Sequence, residues 1–205
     1  MAQVFNKRVF TMKEHIGIMK HAAKSLGLLM YVKKHKLFNK QFKERIMLAV
    51  TEVNGCAMCS FVHTKLALQS GMSRENIQAL LGGDTSMVPL EESVAILFSQ
   101  HFASSKESPS DEAIDRLIQE YGLQKAELVL AACNMITMTN AMGIGLDNLY
   151  NRIKFNRVQG SKLYRELLNP FLVMLLFPIL TILYFLMSPF KRIKLLKNKY
   201  IISST

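Results

Sequence analysis

Residues 171–190 form a run of twenty positions without a charge, FLVMLLFPILTILYFLMSPF. About 20 apolar residues in a helix are enough to cross the hydrocarbon core of a bilayer. A buried core helix is the less favoured interpretation, because such helices are usually shorter and carry one polar face. The run therefore predicts a C-terminal helix that meets a membrane.

The net charge of the chain is concentrated around this run. Residues 151–205 hold ten Lys or Arg and one acidic residue, Glu166, whereas residues 1–150 hold 16 Lys or Arg against 14 Asp or Glu. The formal net charge of +11 thus belongs mainly to an apolar appendage, which points to anionic lipid rather than to nucleic acid. We predict a helical domain over 1–155 and a basic-flanked membrane segment over 156–205.

Two membrane topologies are open for this segment. Basic residues such as Arg165 and Lys191 flank the apolar run on both sides, so the positive-inside rule does not choose between orientations. Pro178 lies near the middle of the run, which allows a tilted single span or a helix–break–helix hairpin in one leaflet. The N-terminus, MAQVFNKRVF, has no signal-peptide pattern, so we expect a cytoplasmic domain with reduced thiols.

Apolar residues recur at spacings of three and four through residues 10–150, the pattern of amphipathic helices. No segment alternates as a strand would, and Gly-containing breaks at 54–55, 71, 82–83 and 122 separate the helical stretches. The predicted fold class is therefore all-α. The expected helices cover residues 11–34, 39–53, 56–70, 74–81, 89–103, 108–122 and 124–154.

Two cysteines and a histidine share one face of the third predicted helix. Cys56, Cys59 and His63 fall within a sector of about 60° when placed at about 100° per residue. Glu44 lies in the preceding helix and comes alongside if the two helices fold back at Asn54-Gly55. A dithiol redox site needs such a set: a thiolate, a base oriented by a carboxylate, and a second thiol that closes a disulfide.

The spacing of these residues resembles the AhpD-like alkylhydroperoxidase branch of the carboxymuconolactone decarboxylase superfamily. The similarity is carried by VNGCAMCSFVHTKLALQSGMSRENIQALL, with Asn-Gly before the first cysteine. It is strong over residues 40–82, weaker over 87–150, where Asn140 falls near a family asparagine, and absent over 160–205. The resemblance implies an AhpD-like helical bundle that assembles into trimers or hexamers.

The resemblance also implies catalytic roles for the four residues. Cys59 would attack a peroxide, Cys56 would resolve the sulfenic acid and accept electrons from a dithiol donor, and Glu44 and His63 would relay protons. Decarboxylation is disfavoured, since decarboxylase members generally lack the cysteine pair. Met58 is a departure, because well-studied peroxidases of this type carry a histidine just before the second cysteine.

Other interpretations of the same residues remain open. A Cys-x-x-Cys pair with Glu44 and His63 could bind zinc, or the cysteines could be inert core residues. Glu52 could replace Glu44 in the relay. Cys133 is expected in the core or in a resolving role, and His101 is expected to be a surface or hydrogen-bonded histidine. We expect His15, His21 and His35 to be solvated, and Met135, Met138 and Met142 to form a core stripe or the wall of a substrate entrance.

The sequence thus predicts a thiol-dependent peroxide reductase or disulfide oxidoreductase held at a membrane. We expect a peroxide substrate, a lipoyl- or thioredoxin-type dithiol donor, membrane lipid and further copies of the chain as partners. Nucleic acid, a bound cofactor and a resident metal are not expected. The alternative is a non-enzymatic redox-sensing or scaffold protein at the membrane, in which the disulfide changes partner binding.

Overall fold

The computed structural model describes residues 8–35 and 38–187, which form seven α-helices and no strand. The predicted all-α class is therefore confirmed for this part of the chain. The helices are α1 (Met12–His35), α2 (Lys40–Asn54), α3 (Ala57–Gln69), α4 (Arg74–Leu81), α5 (Leu90–Ser104), α6 (Asp111–Ile153) and α7 (Leu163–Met187).

Short polar side chains fix the starts of several helices. Asn39, Ser73 and Ser110 each accept a hydrogen bond from the backbone N–H three residues later, at the starts of α2, α4 and α6. Gly122, with φ 72°, interrupts the helical backbone inside α6, where the sequence predicts the end of one helix and the start of another. The predicted boundaries agree with the structure because they rest on these local capping signals.

Two apolar clusters hold the helices together. The main core runs from Phe42 in α2 to Ile136 in α6 and includes Ile77, Ile96 and Leu117. The second cluster joins α1, the start of α3, the C-terminal half of α6 and α7. Its buried members are Phe10, Ile18, Met19, Ala22, Cys56, Cys59, Met138, Ala141, Ile144 and Val173.

His15 is buried, so the prediction that it is solvated is wrong. It shares a helix face with Ile18, Met19 and Ala22, and that face packs into the second cluster while the neighbouring lysines point outward. Its ring stacks edge-on against Phe10, with 6.0 Å between the ring centroids. His21 is exposed, as expected, and the side chain of His35 lies outside the described residues.

Two described helices are long and apolar enough to cross a membrane by length and composition alone. The most apolar window of α6 is 78% buried, which makes α6 a core helix, whereas that of α7 is only 17% buried. α7 continues through Pro170 and Pro178 without the break that a hairpin would need. Lys191 and the rest of the basic tail, with the end of the predicted run, lie outside the described residues.

One face of α7 packs against the helical bundle. Val173 is buried in the second cluster, and Leu172, Leu176, Phe177 and Leu180 pack against that cluster. At the start of the helix the carboxylate of Glu166 accepts hydrogen bonds of 2.5 and 2.8 Å from Arg152 at the end of α6. The apolar helix is therefore fastened to the domain along much of its length.

Candidate active site

The turn between α2 and α3 places the two cysteines together. Gly55 ends α2 in the left-handed conformation, with φ 74°, which a glycine adopts without strain. Cys56 then caps α3, and its Sγ accepts a hydrogen bond from the backbone N–H of Cys59 at 3.2 Å. The structure joins Cys56 and Cys59 as a disulfide, with their Cα atoms 5.3 Å apart.

Glu44 and His63 form an ion pair or hydrogen bond between α2 and α3. Glu44 Oε2 lies 2.7 Å from His63 Nδ1, and Lys43 Nζ lies 3.0 Å from the other carboxylate oxygen. Burial alone would raise the pKa of Glu44, but the contacts with His63 and Lys43 prevail and lower it. An ionised Glu44 accepts a hydrogen bond from the N–H of Nδ1, which leaves the other ring nitrogen of His63 to act as a base.

His63 follows Cys59 by one helical turn. Residues four apart on a helix have Cβ atoms about 5–6 Å apart, so Cys59 and His63 lie one above the other on the same face of α3. The predicted fold-back at Asn54-Gly55 therefore brings Glu44 beside His63, and through His63 to the cysteines. The four side chains predicted for the site occur on the two adjoining helices α2 and α3.

The backbone of α6 forms the wall behind the disulfide. A Cβ atom added to Gly143 would lie 2.8 Å from Cys56 Sγ and 3.2 Å from Cys59 Sγ. Cys59 Sγ also lies 3.6 Å from the carbonyl oxygen of Thr139. Gly143 is not among the site residues predicted from the sequence, although two glycines inside an otherwise good helix, at 143 and 145, are a signal of close packing.

Asn140 lies one turn before Gly143 and is fully buried. Its side-chain oxygen accepts a hydrogen bond of 3.2 Å from the hydroxyl of Thr51, and its amide nitrogen has no hydrogen-bond partner among the described residues. Asn140 thus lies on the face of α6 that adjoins α2 and the disulfide.

The outer side of α3 beside the disulfide is apolar. Met58 is 43% exposed, and Phe61 and Val62 are exposed on the following turn. The position that would carry a histidine in the better-known peroxidases therefore presents a thioether at the surface.

The structure separates the remaining candidates from this site. The carboxylate of Glu52 lies beside Gly83 at the end of α4, and Glu44 rather than Glu52 pairs with His63. Cys133 is buried in the main core, where burial raises the pKa of its thiol to about 12. His101 accepts a hydrogen bond from the backbone N–H of Ser110.

The methionine stripe lies in the second cluster with the disulfide. Met138 is a buried member, and Met135 and Met142 pack against it. This placement is that of a core stripe. Within residues 8–35 and 38–187, no group of three His, Cys, Asp or Glu side chains is arranged to hold a metal ion.

Comparison with known proteins gives two matches. Residues 21–97 match the model of the carboxymuconolactone decarboxylase family. The chain is also 25% identical over 143 residues to the uncharacterized protein YdfG of Bacillus subtilis strain 168, covering 67% of this chain and 97% of that protein. No solved structure matches the chain.

The matched region contains all of α2, α3 and α4 and therefore the Glu44–His63 pair and both cysteines. The resemblance identified from the sequence is confirmed at the level of the superfamily by the match of residues 21–97 to the model of the carboxymuconolactone decarboxylase family.

Proposed function

We propose that the chain is an AhpD-like thiol peroxidase that reduces hydroperoxides through Cys59 and Cys56 and works at a membrane. The observation that carries the proposal is the Cys56–Cys59 disulfide on the same two helices as the Glu44–His63 pair. Once a dithiol donor has reduced this disulfide, the two thiols supply the nucleophile and the resolving thiol, and the Glu44–His63 pair supplies the proton carrier that the reaction needs.

The first step takes place at Cys59, which is 7% exposed, whereas Cys56 is fully buried. His63 accepts the Cys59 proton, and the thiolate attacks the terminal, hydroxyl-bearing oxygen of the hydroperoxide ROOH. The O–O bond breaks, the S–O bond forms, and the alkoxide takes a proton from His63 and leaves as ROH. Cys59 is then a sulfenic acid, oxidised by two electrons.

In the second step Cys56 attacks the sulfur of the sulfenic acid. The S–S bond forms, the S–O bond breaks, and hydroxide leaves as water after taking the proton released by the Cys56 thiol. A dithiol donor then reduces the disulfide by exchange and is itself oxidised to a disulfide. Each cycle converts ROOH and a dithiol into ROH, water and a disulfide.

The test begins with the reduced full-length protein and one equivalent of hydroperoxide. We expect mass spectrometry to find a Cys56–Cys59 disulfide, and steady-state assays with a dithiol reductant to find repeated turnover. Cys59→Ser abolishes turnover, and Cys56→Ser leaves a sulfenic acid that dimedone traps. Cys133→Ala is the matched control and keeps the wild-type rate, since Cys133 lies in the main core.

Two results would decide against the enzyme. If the cysteines stay reduced after peroxide treatment, peroxide reduction is excluded. If the disulfide forms once and slowly but no turnover follows with lipoyl or thioredoxin-type donors, the redox-sensing alternative accounts for the cysteines.

A further inference from the structure

The outer face of α7 is a long apolar surface that no other described residue covers. Phe171 and Met174 are 69% and 71% exposed, and Leu167, Leu175, Ile182 and Leu186 continue the same side at spacings of three and four or multiples of them. A monomeric soluble protein rarely exposes an apolar strip of this length. We call this strip the α7 face.

The turn between α6 and α7 extends the α7 face at its N-terminal end. Phe155 is 100% exposed, Ile153 is 68% exposed, and Phe155 adopts a left-handed backbone with φ 60°. That conformation is unfavourable for a bulky residue. The helix-end hydrogen bond from the backbone N–H of Asn156 to the carbonyl oxygen of Asn151 holds this conformation. It leaves the phenylalanine ring in water, an exposure that is explained if the ring enters an apolar phase.

Basic side chains surround this turn. Lys154, Arg157 and Lys162 lie beside Phe155 in the chain and are exposed. The nearby acid, Glu166, is already paired with Arg152. The turn therefore presents net positive charge together with apolar side chains, the combination that binds anionic lipid headgroups. Two copies of the chain that met turn to turn would bring like charges together.

The packing of α7 sets its orientation at the bilayer. The inner face is occupied by the second cluster from Val173 to at least Leu180. A helix fastened along one side to a charged helical domain cannot cross the hydrocarbon core unless it detaches or carries that domain with it. We propose that the α7 face and the α6–α7 turn form a monotopic docking surface for an anionic lipid bilayer, with α7 lying along the interface.

This docking names the substrate class, on the assumption that the proposed peroxidase activity is correct. Val173 on the inner side of α7 belongs to the same apolar cluster as Cys56 and Cys59. Docking therefore brings lipid to the outer side of α7, whose inner side packs against the second cluster and thus against the disulfide. The favoured substrate is a hydroperoxide carried on a lipid acyl chain.

Flotation of the full-length protein with vesicles tests the docking. We expect the wild-type protein to float with phosphatidylcholine vesicles that contain phosphatidylglycerol. Variants that bind these vesicles weakly should be released from them by salt. Phe155→Ser reduces the bound fraction about tenfold, because an inserted phenylalanine side chain is lost. Lys154→Glu with Lys162→Glu has a similar effect on anionic vesicles only. Leu90→Ser, an exposed apolar position on α5, is the matched control and floats like the wild type.

Single tryptophans test the orientation, since the chain contains no Trp. Phe171→Trp, Ile179→Trp and Leu186→Trp should each be quenched best by lipids brominated near the headgroup, because all three positions lie at one shallow depth. A spanning helix would instead place Ile179→Trp deeper than the other two, and this result would overturn the in-plane docking. A wild-type protein that ignores anionic vesicles, or that buries the α7 face in a salt-insensitive dimer, overturns it as well.

These assays can refute the membrane docking and the peroxidase activity independently of each other. The double variant Cys56→Ser/Cys59→Ser must float like the wild type, whatever the chemistry. In the active protein, Phe155→Ser should lower the ratio of the rate on vesicle-borne lipid hydroperoxide to the rate on hydrogen peroxide about tenfold, in line with its loss of binding. If Phe155→Ser leaves this ratio unchanged, the proposed substrate class is wrong. If the wild type reduces neither peroxide, the proposed function is wrong but the docking still stands.

Discussion

The two sulfurs of the site have different surroundings. Cys56 Sγ accepts the N–H of Cys59 at the start of α3, where a helix carries roughly half a positive charge and favours a thiolate. Cys59 Sγ lies 3.6 Å from the carbonyl oxygen of Thr139, a neighbour that favours the protonated thiol. Cys59 therefore depends on a base to become a nucleophile, which is the role proposed for His63, while Cys56 is poised to resolve.

Gly143 is expected to be the most sensitive position next to the sulfurs. Replacing it with alanine places a Cβ 2.8 Å from Cys56 Sγ, closer than such contacts allow. Overpacking costs about 1–3 kcal/mol, which outweighs the gain of about 1 kcal/mol in helix propensity. We expect Gly143→Ala to lower the urea midpoint and to slow disulfide formation by peroxide.

Gly17→Ala is the matched control for this substitution. Outside the backbone of α1 itself, a Cβ at Gly17 would have no described atom within 4 Å, so helix propensity acts alone and stability should rise by up to about 1 kcal/mol. Equal midpoints for the two variants would show that the α6 backbone does not confine the sulfurs.

His15 should make the protein sensitive to acid. Burial lowers its pKa from 6.5 to about 4, and neither ring nitrogen has a hydrogen-bond partner among the described residues. Between these two values the unfolded chain binds a proton that the folded chain does not, so the free energy of unfolding falls as the pH falls from 6.5 towards 4. The full loss from this residue is about 3 kcal/mol.

His15→Leu removes that proton linkage. We expect urea titrations to show a flatter dependence of the unfolding free energy on pH above pH 4 than in the wild type. Glu44 contributes in the same direction at lower pH, since a carboxylate with a lowered pKa loses its stabilising effect as it is protonated. If the unfolding free energies of wild type and variant changed in parallel between pH 6.5 and about 4, the acid sensitivity would not come from His15.

At the scale of the elements, local signals were enough to place most helices. Asn39, Ser73 and Gly122 mark boundaries through hydrogen bonds and backbone conformations that depend on a few adjacent residues. The same holds for the shared face of Cys56 and Cys59 with His63, which follows from helix geometry. These features could be read from the sequence because tertiary contacts do not decide them.

The packed side of α7 could not be read in this way. Its apolar run has no polar face after Asn169, so the hydropathy pattern does not show which side lies against the domain. The structure selects the side that carries Val173, through contacts with α1 and α6 that are distant in sequence. The burial of His15 could not be predicted for a related reason, because a titratable side chain between lysines gives no apolar signal even when it lies on the packed face of α1.

Adjacent residues on α7 should therefore differ in their effect on stability. Val173 is 5% exposed and Met174 is 71% exposed. We expect Val173→Ala to lower the free energy of unfolding by about 2 kcal/mol, because it leaves a cavity in the second cluster. Met174→Ala should change it by no more than about 0.5 kcal/mol. Urea unfolding in one mild detergent measures both, and equal effects would mean that α7 does not pack on the domain as described.

At the scale of the whole molecule, charge and apolar surface are divided between two regions. Residues 1–150 have a nearly balanced set of charged side chains, and the strongly basic part coincides with α7 and its flanks. A second, smaller apolar patch lies away from α7, on the outer side of α3, where Phe61 is 75% exposed with Val62 beside it. We therefore expect the α7 face and the apolar patch on α3 to bind two different partners.

The α3 patch is where we expect copies of the chain to meet. Superfamily resemblance implies trimers or hexamers, and an exposed phenylalanine next to Val62 and Met58 gives the apolar centre that such an interface needs. In detergent, which covers the α7 face, light scattering should give the mass of an oligomer. Phe61→Glu buries a charge in the interface and should reduce that mass to one chain, whereas Leu90→Glu on α5 should leave it unchanged. A wild-type monomer at high protein concentration, or an oligomer that Phe61→Glu does not disrupt, would move the interface away from α3.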